Sequence, residues 1–209
     1  INGSGMHTNM SLFKNGKNVF YDPDGEKGLS KEAYSFIAGL LAHVKGMCAV
    51  TNPLVNSYKR LVPGFDAPVV VSWGSRNRSA MVRVPRYKPS KPSSTRIAVR
   101  SVDSAANPYL AYAAMLGAGL KGIEEGLDLC APVEENLFKL SQAEIAERGL
   151  KYLPRDLSQA IDEFEKSELM HEILGDVICE NLISAKRAEW EEYRAHVSSW
   201  EIDRYLARL

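Results

Sequence analysis

The chain has few cysteines and histidines, and their arrangement excludes several kinds of site. Its 209 residues include three cysteines, Cys48, Cys130 and Cys179, which lie far apart and form no Cys-x-x-Cys pair. This pattern favours reduced thiols over a disulfide framework or a thiolate zinc site. The four histidines form no His-Glu-x-x-His or similar cluster. One of them, His7, follows a Gly-x-Gly turn and is either a metal ligand, a proton carrier or a structural residue.

Long apolar runs and targeting signals are also missing. No apolar run approaches the roughly 18 residues of a membrane span, and no signal peptide is visible. The composition, 45% hydrophobic and 25% charged, is ordinary for a globular protein with a sizeable core. We therefore expect a soluble cytoplasmic protein with no membrane partner. Because the chain begins at Ile1, directly inside a Gly-rich motif, we also expect it to be a piece of a longer protein.

Acidic residues are almost absent between residues 60 and 100, where Asp66 is the single carboxylate among seven arginines. Residues 1–123 carry a charge balance of +10 and residues 124–209 one of −10, so the net charge of zero hides a strong asymmetry. Arginine presents a rigid fork of donors that matches carboxylates and phosphates. The first half is therefore predicted to bind a polyanion, whereas the acidic second half argues against a protein that coats nucleic acid.

Local patterns predict an α+β fold in which an antiparallel sheet is followed by helices that cover it. Strands are predicted at 10–13, 19–21, 69–73, 80–84 and 95–102, with a hairpin turn at Asn15-Gly16 and an irregular loop at 52–68. Helices are predicted from Ser30 to near Gly46, from Asn107 to about Gly122 and from about Asp176 to Arg194. Further helices are predicted to begin at the N-caps Ser141, Asp156 and Ser167, and an amphipathic tail follows Ser198.

Side-chain alternation gives each of two predicted strands a face that carries arginine. Arg96, Ala98 and Arg100 share a face of the strand 95–102, and Met81 and Arg83 share a face of the strand 80–84. Two neighbouring strands thus offer guanidinium groups that could converge on one anionic ligand. The alternative is that these arginines only solvate an exposed face.

Four short motifs, in this order and spacing, identify a family. They are Asn2-Gly3-Ser4-Gly5-Met6-His7, Asn56-Ser57-Tyr58-Lys59-Arg60-Leu61-Val62-Pro63-Gly64, Arg76-Asn77-Arg78-Ser79 and Ala105-Ala106-Asn107-Pro108-Tyr109. Together they resemble the C-terminal part of the catalytic domain of type I glutamine synthetase, the bacterial and archaeal form. The resemblance implies a curved antiparallel sheet that carries the active site. Residues 1–123 would form the ligand-binding part, and 124–209 a helical C-terminal region of the same domain with an oligomerisation tail.

The resemblance implies ATP-dependent ligation of ammonia to L-glutamate through γ-glutamyl phosphate, with Mg²⁺ or Mn²⁺ as cofactor and ATP as co-substrate. Forked arginines suit this chemistry, because phosphoryl transfer depends on charge neutralisation and alignment. The implied partners are glutamate, ammonium and ATP, with a homo-oligomeric dodecamer of two hexameric rings and no nucleic acid. The matching residues are Asn2, Gly3, Arg60 and Arg100 for glutamate, Ser11, Arg78 and Arg83 for ATP, His7 for the metal, and Asp66 and Arg78 for catalysis.

Several positions depart from the family's pattern. Ala98 stands where the family has a metal-binding glutamate, and a methyl group cannot coordinate a hard cation. Asn9 replaces a histidine found in many members, and Phe138 occupies the place of a regulatory tyrosine. Asp66 replaces a glutamate on the flap that closes over the intermediate. Two alternatives follow: a γ-glutamyl ligase for another amine, indicated by Asp66, and a catalytically silent relative, indicated by Ala98. The isolated chain is expected to be inactive.

Overall fold

The computed structural model of the chain describes residues 3–85 and 91–208. Within these ranges the strands are two or three residues long: β1 (Thr8–Met10), β2 (Phe13–Lys14), β3 (Lys17–Asn18), β4 (Trp73–Gly74), β5 (Val82–Arg83) and β6 (Ile97–Val99). The helices are α1 (Lys31–Thr51), α2 (Val55–Arg60), α3 (Pro108–Glu124), α4 (Gln142–Glu147), α5 (Leu157–Glu165), α6 (Glu168–Leu174), α7 (Asp176–Ala195) and α8 (Ser199–Tyr205). The predicted α+β class is confirmed.

The main sheet has the strand order β1-β6-β5-β4. Its pairings β1–β6 and β5–β6 are antiparallel, as predicted, but β4 and β5 run parallel. Residues 75–81 return the chain to the start of β4, where the amides of Val82 and Val84 donate to the carbonyls of Ser72 and Gly74. Alternation of side chains indicates a strand but not its direction, so the sequence could not reveal this parallel pair.

The predicted hairpin turn is present, but its strands are shorter and displaced, since the predicted return strand 19–21 lies after the end of β3. Strands β2 and β3 pair across Asn15 and Gly16, whose φ angles are +53° and +75°. Two positive φ angles are typical of the tight hairpin turn that Asn-Gly favours. Most of the predicted helix boundaries also hold, because the side chains of Ser30, Asn107, Ser141, Asp156, Ser167 and Ser198 each accept a hydrogen bond at a helix N-terminus.

Two predictions around the first helix are wrong. Helix α1 continues past Gly46 to Thr51. A Cβ at Gly46 would lie 2.7 Å from Oγ of Ser167, so this glycine permits a close packing contact and does not end the helix. The predicted loop at 52–68 contains the short helix α2, which the surrounding Asn-Pro and Pro-Gly pairs concealed.

Helix α1 lies at the centre of the core and packs against α3 and α5. Where α1 crosses α3, a Cβ at Gly39 would lie 2.8 Å from Cα of Gly122, so the two backbones can approach only because both residues are glycine. Among the described residues, α1 is the one helix long and apolar enough to cross a membrane, and 72% of that stretch is buried inside the fold. The expectation that no apolar stretch reaches this length is thereby corrected, and the burial is what a core helix requires.

Candidate active site

A cavity of about 360 Å³ opens where the N-terminal turn, the end of α2, the loop before β5 and the residue after β6 meet. Phe138 and residues 65–67 complete its wall. We call residues 62–67 the flap segment. The lining residues are Gly3, Gly5, His7, Arg60, Phe65, Asp66, Ala67, Arg78, Arg100 and Phe138. The cavity thus brings together six of the predicted site residues, namely Gly3, His7, Arg60, Asp66, Arg78 and Arg100.

The side chain of Arg60 is fixed beside the N-terminal turn. Its Nη2 donates to the carbonyl of Ser101 and, at 3.2 Å, to Oδ1 of Asn52. A Cβ at Gly5 would lie 2.7 Å from Nη1 of Arg60, and one at Gly3 would lie 3.1 Å from its Cγ. The glycines of the first motif therefore make room for the guanidinium. Burial lowers the pKa of Arg60, and the negative charge of Asp103 opposes this shift.

Arg100 and Arg83 lie on the same face of the sheet. Arg83 pairs with Ala98 across β5 and β6, and Ala98 shares its face with Arg100 two residues further along. The Nη1 of Arg100 donates to the carbonyls of Arg78 and Ala80. Burial lowers the pKa of Arg100, and the charges of Arg83 and Arg78 lower it further. The register thus agrees with the predicted convergence of guanidinium groups from two strands.

Three buried guanidinium nitrogens have no hydrogen-bond partner in the part of the chain that the structure describes. They are Nε of Arg60, Arg83 and Arg100. A buried donor without a partner costs about 1–3 kcal/mol, so native proteins rarely keep several together. Two of these arginines, Arg60 and Arg100, line the cavity, and a ligand with several negatively charged oxygen atoms has the chemistry that suits them.

The imidazole of His7 lies at the same cavity, in surroundings that disfavour its charged form. Burial lowers its pKa below the ordinary 6.5, and Arg100, Arg83 and Arg60 lower it further. Neutral imidazole is the form that coordinates metals. However, no group of three or more His, Cys, Asp or Glu residues lies together within residues 3–85 and 91–208, and Ala98 adds no donor. These residues supply one ligand for a divalent cation and not a complete site, so no reaction step through a metal can be derived from them.

The loop that carries Arg78 is fastened to residues 133–137, which we call the clamp. Hydrogen bonds join Ser75 and Arg76 to Glu134, Asn77 to Val133, and Ser79 to Leu137. The carboxylate of Glu134 accepts from the amide of Ser75 at 2.9 Å, from its hydroxyl at 2.5 Å and from the amide of Arg76 at 2.9 Å. Partial burial of Glu134 acts to raise its pKa, but the hydrogen bonds together hold that pKa below its usual value.

Two of the predicted site residues do not line the cavity. Ser11 is exposed and Arg83 is half-buried, and neither lines the cavity. Asn2 lies outside the described residues.

Some residues that line the cavity were not predicted. Phe65 and Ala67 flank Asp66 in the sequence, so the resemblance could have indicated them, and Gly5 lies inside a quoted motif. No sequence signal connects Phe138 or Glu134 with the arginines, because only folding brings the clamp to this loop.

Comparison with known proteins decides the family. The family described as "Glutamine synthetase, catalytic domain" matches residues 1–205. The chain belongs to the glutamine synthetase family. Glutamine synthetases are ATP-dependent ligases that use divalent metals. Membership therefore agrees with a site rich in arginine and containing a histidine whose charged form is disfavoured.

Curated glutamine synthetases are similar to the whole chain. The enzyme of Methanosarcina mazei is 52% identical over 209 residues, which cover 100% of this chain and 46% of the relative. Those of Clostridium saccharobutylicum and Thermotoga maritima are 50% and 46% identical over 206 residues, covering 99% of this chain and 46% of each relative. The chain thus spans about half the length of the curated relatives it matches.

Two solved structures of GmaS have the same fold. A GmaS/ADP complex superposes with a TM-score of 0.85 at 38% identity, covering 98% of this chain and 46% of that one. Apo GmaS without ligand gives a TM-score of 0.81 at 37% identity, covering 98% and 45%.

Proposed function

We propose that the protein containing this chain ligates ammonia to L-glutamate at the expense of ATP and releases L-glutamine. The observation that carries the proposal is the cavity in which Arg60 and Arg100 keep buried, unpartnered Nε donors beside His7 and Asp66. Glutamate and ATP together present two carboxylates and a triphosphate, which are the acceptors that such a cluster binds best.

The reaction proceeds in two steps. Arg60 and Arg100 bind the substrate glutamate, together with Asn2 and Gly3. An oxygen of its γ-carboxylate attacks the γ-phosphorus of ATP, and the bond from that phosphorus to the ADP oxygen breaks to give γ-glutamyl phosphate. Arg78 and Arg83 neutralise the phosphate oxygens, and Ser11 contacts the nucleotide.

In the second step ammonia attacks the acyl phosphate carbon, the carbon–oxygen bond breaks, and inorganic phosphate leaves with one proton from the attacking nitrogen. Asp66, on the flap segment, receives the proton that ammonium releases. His7 would provide one ligand to Mg²⁺ or Mn²⁺, which supplies charge neutralisation when bound. The remaining ligands must come from residues outside this chain.

A different amine is the second candidate. Asp66 is one methylene shorter than the family's glutamate, which leaves more room for a substituted amine at the flap. Both solved structures compared above are of GmaS, at 38% and 37% identity. A panel of primary amines tested against ammonia separates these two functions, and Mg²⁺-dependent phosphate release separates both from a catalytically silent relative.

We further propose a dodecamer of two hexameric rings in the cytoplasm. The proposal is supported by the exposed apolar side chains of α8 and its extension, with Trp200 62% and Leu206 67% exposed. Burying one such side chain contributes about 1.5–3 kcal/mol, so packing this tail against another subunit would be energetically favourable.

The substitution Arg100→Lys in the full-length protein tests the substrate assignment. Lysine keeps the charge but loses the fork. Since a charge-assisted hydrogen bond contributes about 1.5–3 kcal/mol, we expect the KM for glutamate to rise roughly tenfold or more, with little change in the KM for ATP. Arg96→Lys is the matched control, because Arg96 is exposed and lies outside the cavity. An unchanged KM for glutamate in Arg100→Lys would show that Arg100 does not bind this substrate.

A further inference from the structure

A second binding region lies around Tyr152. A mainly apolar cavity of about 250 Å³ and a polar cleft of about 450 Å³ share the residues Tyr152, Leu153, Pro154 and Arg155. We call the two together the Tyr152 groove. No residue that lines the candidate active site lines this groove.

The apolar cavity is suited to a small hydrocarbon group. Its walls include Leu61, Val62, Pro63 and Val69, and the side-chain amide of Gln142 is a polar exception. A volume of about 250 Å³ falls just below the roughly 300–1,000 Å³ of pockets for drug-sized ligands. One ring system or one branched chain therefore fits it better than a nucleotide.

The polar cleft carries an excess of positive charge. Its cations are Lys45, Lys151, Arg155 and Lys166. None of the four forms an ion pair within the described residues. Of the two acids in the cleft, Asp162 is paired with Arg187 at 2.7 Å, which leaves Glu163 as the remaining negative charge. The cleft is therefore complementary to an anion.

Arg155 lies where the two halves of the groove meet. Its guanidinium carbon is 5.9 Å from the centroid of the Tyr152 ring, a distance at which the cation and the ring attract each other. Both halves are lined by these two residues. A carboxylate bound to Arg155 would thus direct its apolar body into the cavity next to Val69.

We propose that the Tyr152 groove binds a small monocarboxylate with an apolar body, an aromatic or branched acid, and that its occupancy restrains the flap segment. The body occupies the apolar cavity, and the carboxylate bonds to Arg155 with Lys151 nearby. The proposal does not depend on the proposed ligase activity, because its test measures ligand binding and not turnover.

The link to the flap segment is direct. Val62 and Pro63 line the groove, whereas Phe65, Asp66 and Ala67 of the same segment line the candidate active site. The groove is also tied to the chain that follows the flap segment, because the amide of Leu153 donates to the carbonyl of Val69 at 2.9 Å. A ligand packed against Val62 and Pro63 therefore restricts the backbone that positions Asp66.

Binding of 2-naphthoate to the full-length protein, measured by calorimetry and by methyl NMR, tests the site. We expect saturable binding with shifts at the methyl groups of Leu61, Val62 and Val69. Arg155→Gln should weaken binding about tenfold, as expected for loss of one charge-assisted contact. The matched control is Arg148→Gln, which removes the same charge from an arginine that pairs with Glu135 at 2.9 Å outside the groove.

Two further probes test the two halves separately. 2-Naphthylmethanol lacks the charge and inorganic phosphate lacks the apolar body, and we expect each to bind at least about tenfold more weakly than 2-naphthoate. Equal binding of the alcohol would refute the role of the cations, and equal binding of phosphate would refute that of the apolar cavity. Absence of 2-naphthoate binding, or its loss in Arg78→Gln but not in Arg155→Gln, would overturn the site.

Hydrogen exchange tests the restraint of the flap segment. Saturating 2-naphthoate should slow amide exchange across residues 62–67, and it should not do so in Arg155→Gln. Unchanged exchange in the saturated chain would refute the link between the groove and the flap segment.

Discussion

Replacing Gly5 by alanine is predicted to move the guanidinium of Arg60, the residue proposed to bind glutamate, without unfolding the protein. The new Cβ would lie 2.7 Å from Nη1 of Arg60. Ordinary contacts between such atoms are about 3.5–4.0 Å, so the guanidinium must retreat by roughly 1 Å. The clashing atom is the end of a long side chain, and Gly5 has no positive φ that would strain an alanine. The stability of the fold therefore changes little, whereas the guanidinium of Arg60 is displaced from its position in the cavity.

The size of the effect follows from the hydrogen bonds of Arg60. Its Nη2 is held by the carbonyl of Ser101 and by Asn52 at 3.2 Å, so a shift of about 1 Å breaks or lengthens these bonds and misdirects the guanidinium. Loss of one charge-assisted contact to a carboxylate is worth about 1.5–3 kcal/mol. This corresponds to a rise of roughly tenfold to a hundredfold in the dissociation constant of glutamate.

Glutamate binding in the full-length protein, measured by calorimetry beside a thermal melt, checks this prediction. Ser4→Ala is the matched control, because it adds no atom and Ser4 does not line the cavity. We expect the melting temperature of Gly5→Ala to stay within a few degrees of the parent while glutamate affinity falls. Glutamate affinity equal to that of the Ser4→Ala protein would refute the argument that Gly5 makes room for Arg60.

Three further predictions concern other parts of the molecule. Ala98→Glu places a carboxylate opposite Arg83 on the active-site face. It should raise metal-dependent activity and tighten Mn²⁺ binding in the full-length protein. An unchanged Mn²⁺ titration would instead favour the alternative that the protein is a catalytically silent relative. NMR titration should give His7 a pKa below 6.5 that rises in Arg100→Gln, since the arginine charge disfavours the imidazolium; the same pKa in both proteins would contradict this. Deleting residues 198–209 should convert dodecamers into single hexameric rings in analytical ultracentrifugation, and intact dodecamers would show that the tail does not join the rings.

The sequence predicts best those features that are local. The caps at Ser30 and Ser141 and the Asn15-Gly16 turn depend on neighbouring residues, and the structure reproduces each of them. The sequence places the end of α1 too early, because Gly46 serves a packing contact with Ser167, which is distant in the sequence, and does not end the helix.

The candidate site shows the same difference between features set by neighbouring residues and features set by contacts distant in the sequence. Strand alternation was enough to place Arg96, Ala98 and Arg100 on one face of their strand, since period-two geometry needs no tertiary information. That Arg83 shares this face follows only from the register of β5 and β6. Alternation could not reveal that β4 and β5 run parallel. Nor could it reveal the role of Glu134, whose partners at Ser75 and Arg76 are selected by the folded path of the chain.

The clamp has a consequence for the entropy of ligand binding. Ordering the backbone of a free loop costs about 1–2 kcal/mol per residue. Residues 75–79 are already ordered by the clamp before any ligand arrives, so Arg78 can bind an anion without that loss. Anion affinity at the basic cavity is therefore expected to depend on an acidic segment that does not line the cavity. The two oppositely charged halves of the chain thus behave as one preorganised receptor, and residues 1–123 alone would keep every arginine of the site but lose part of its affinity.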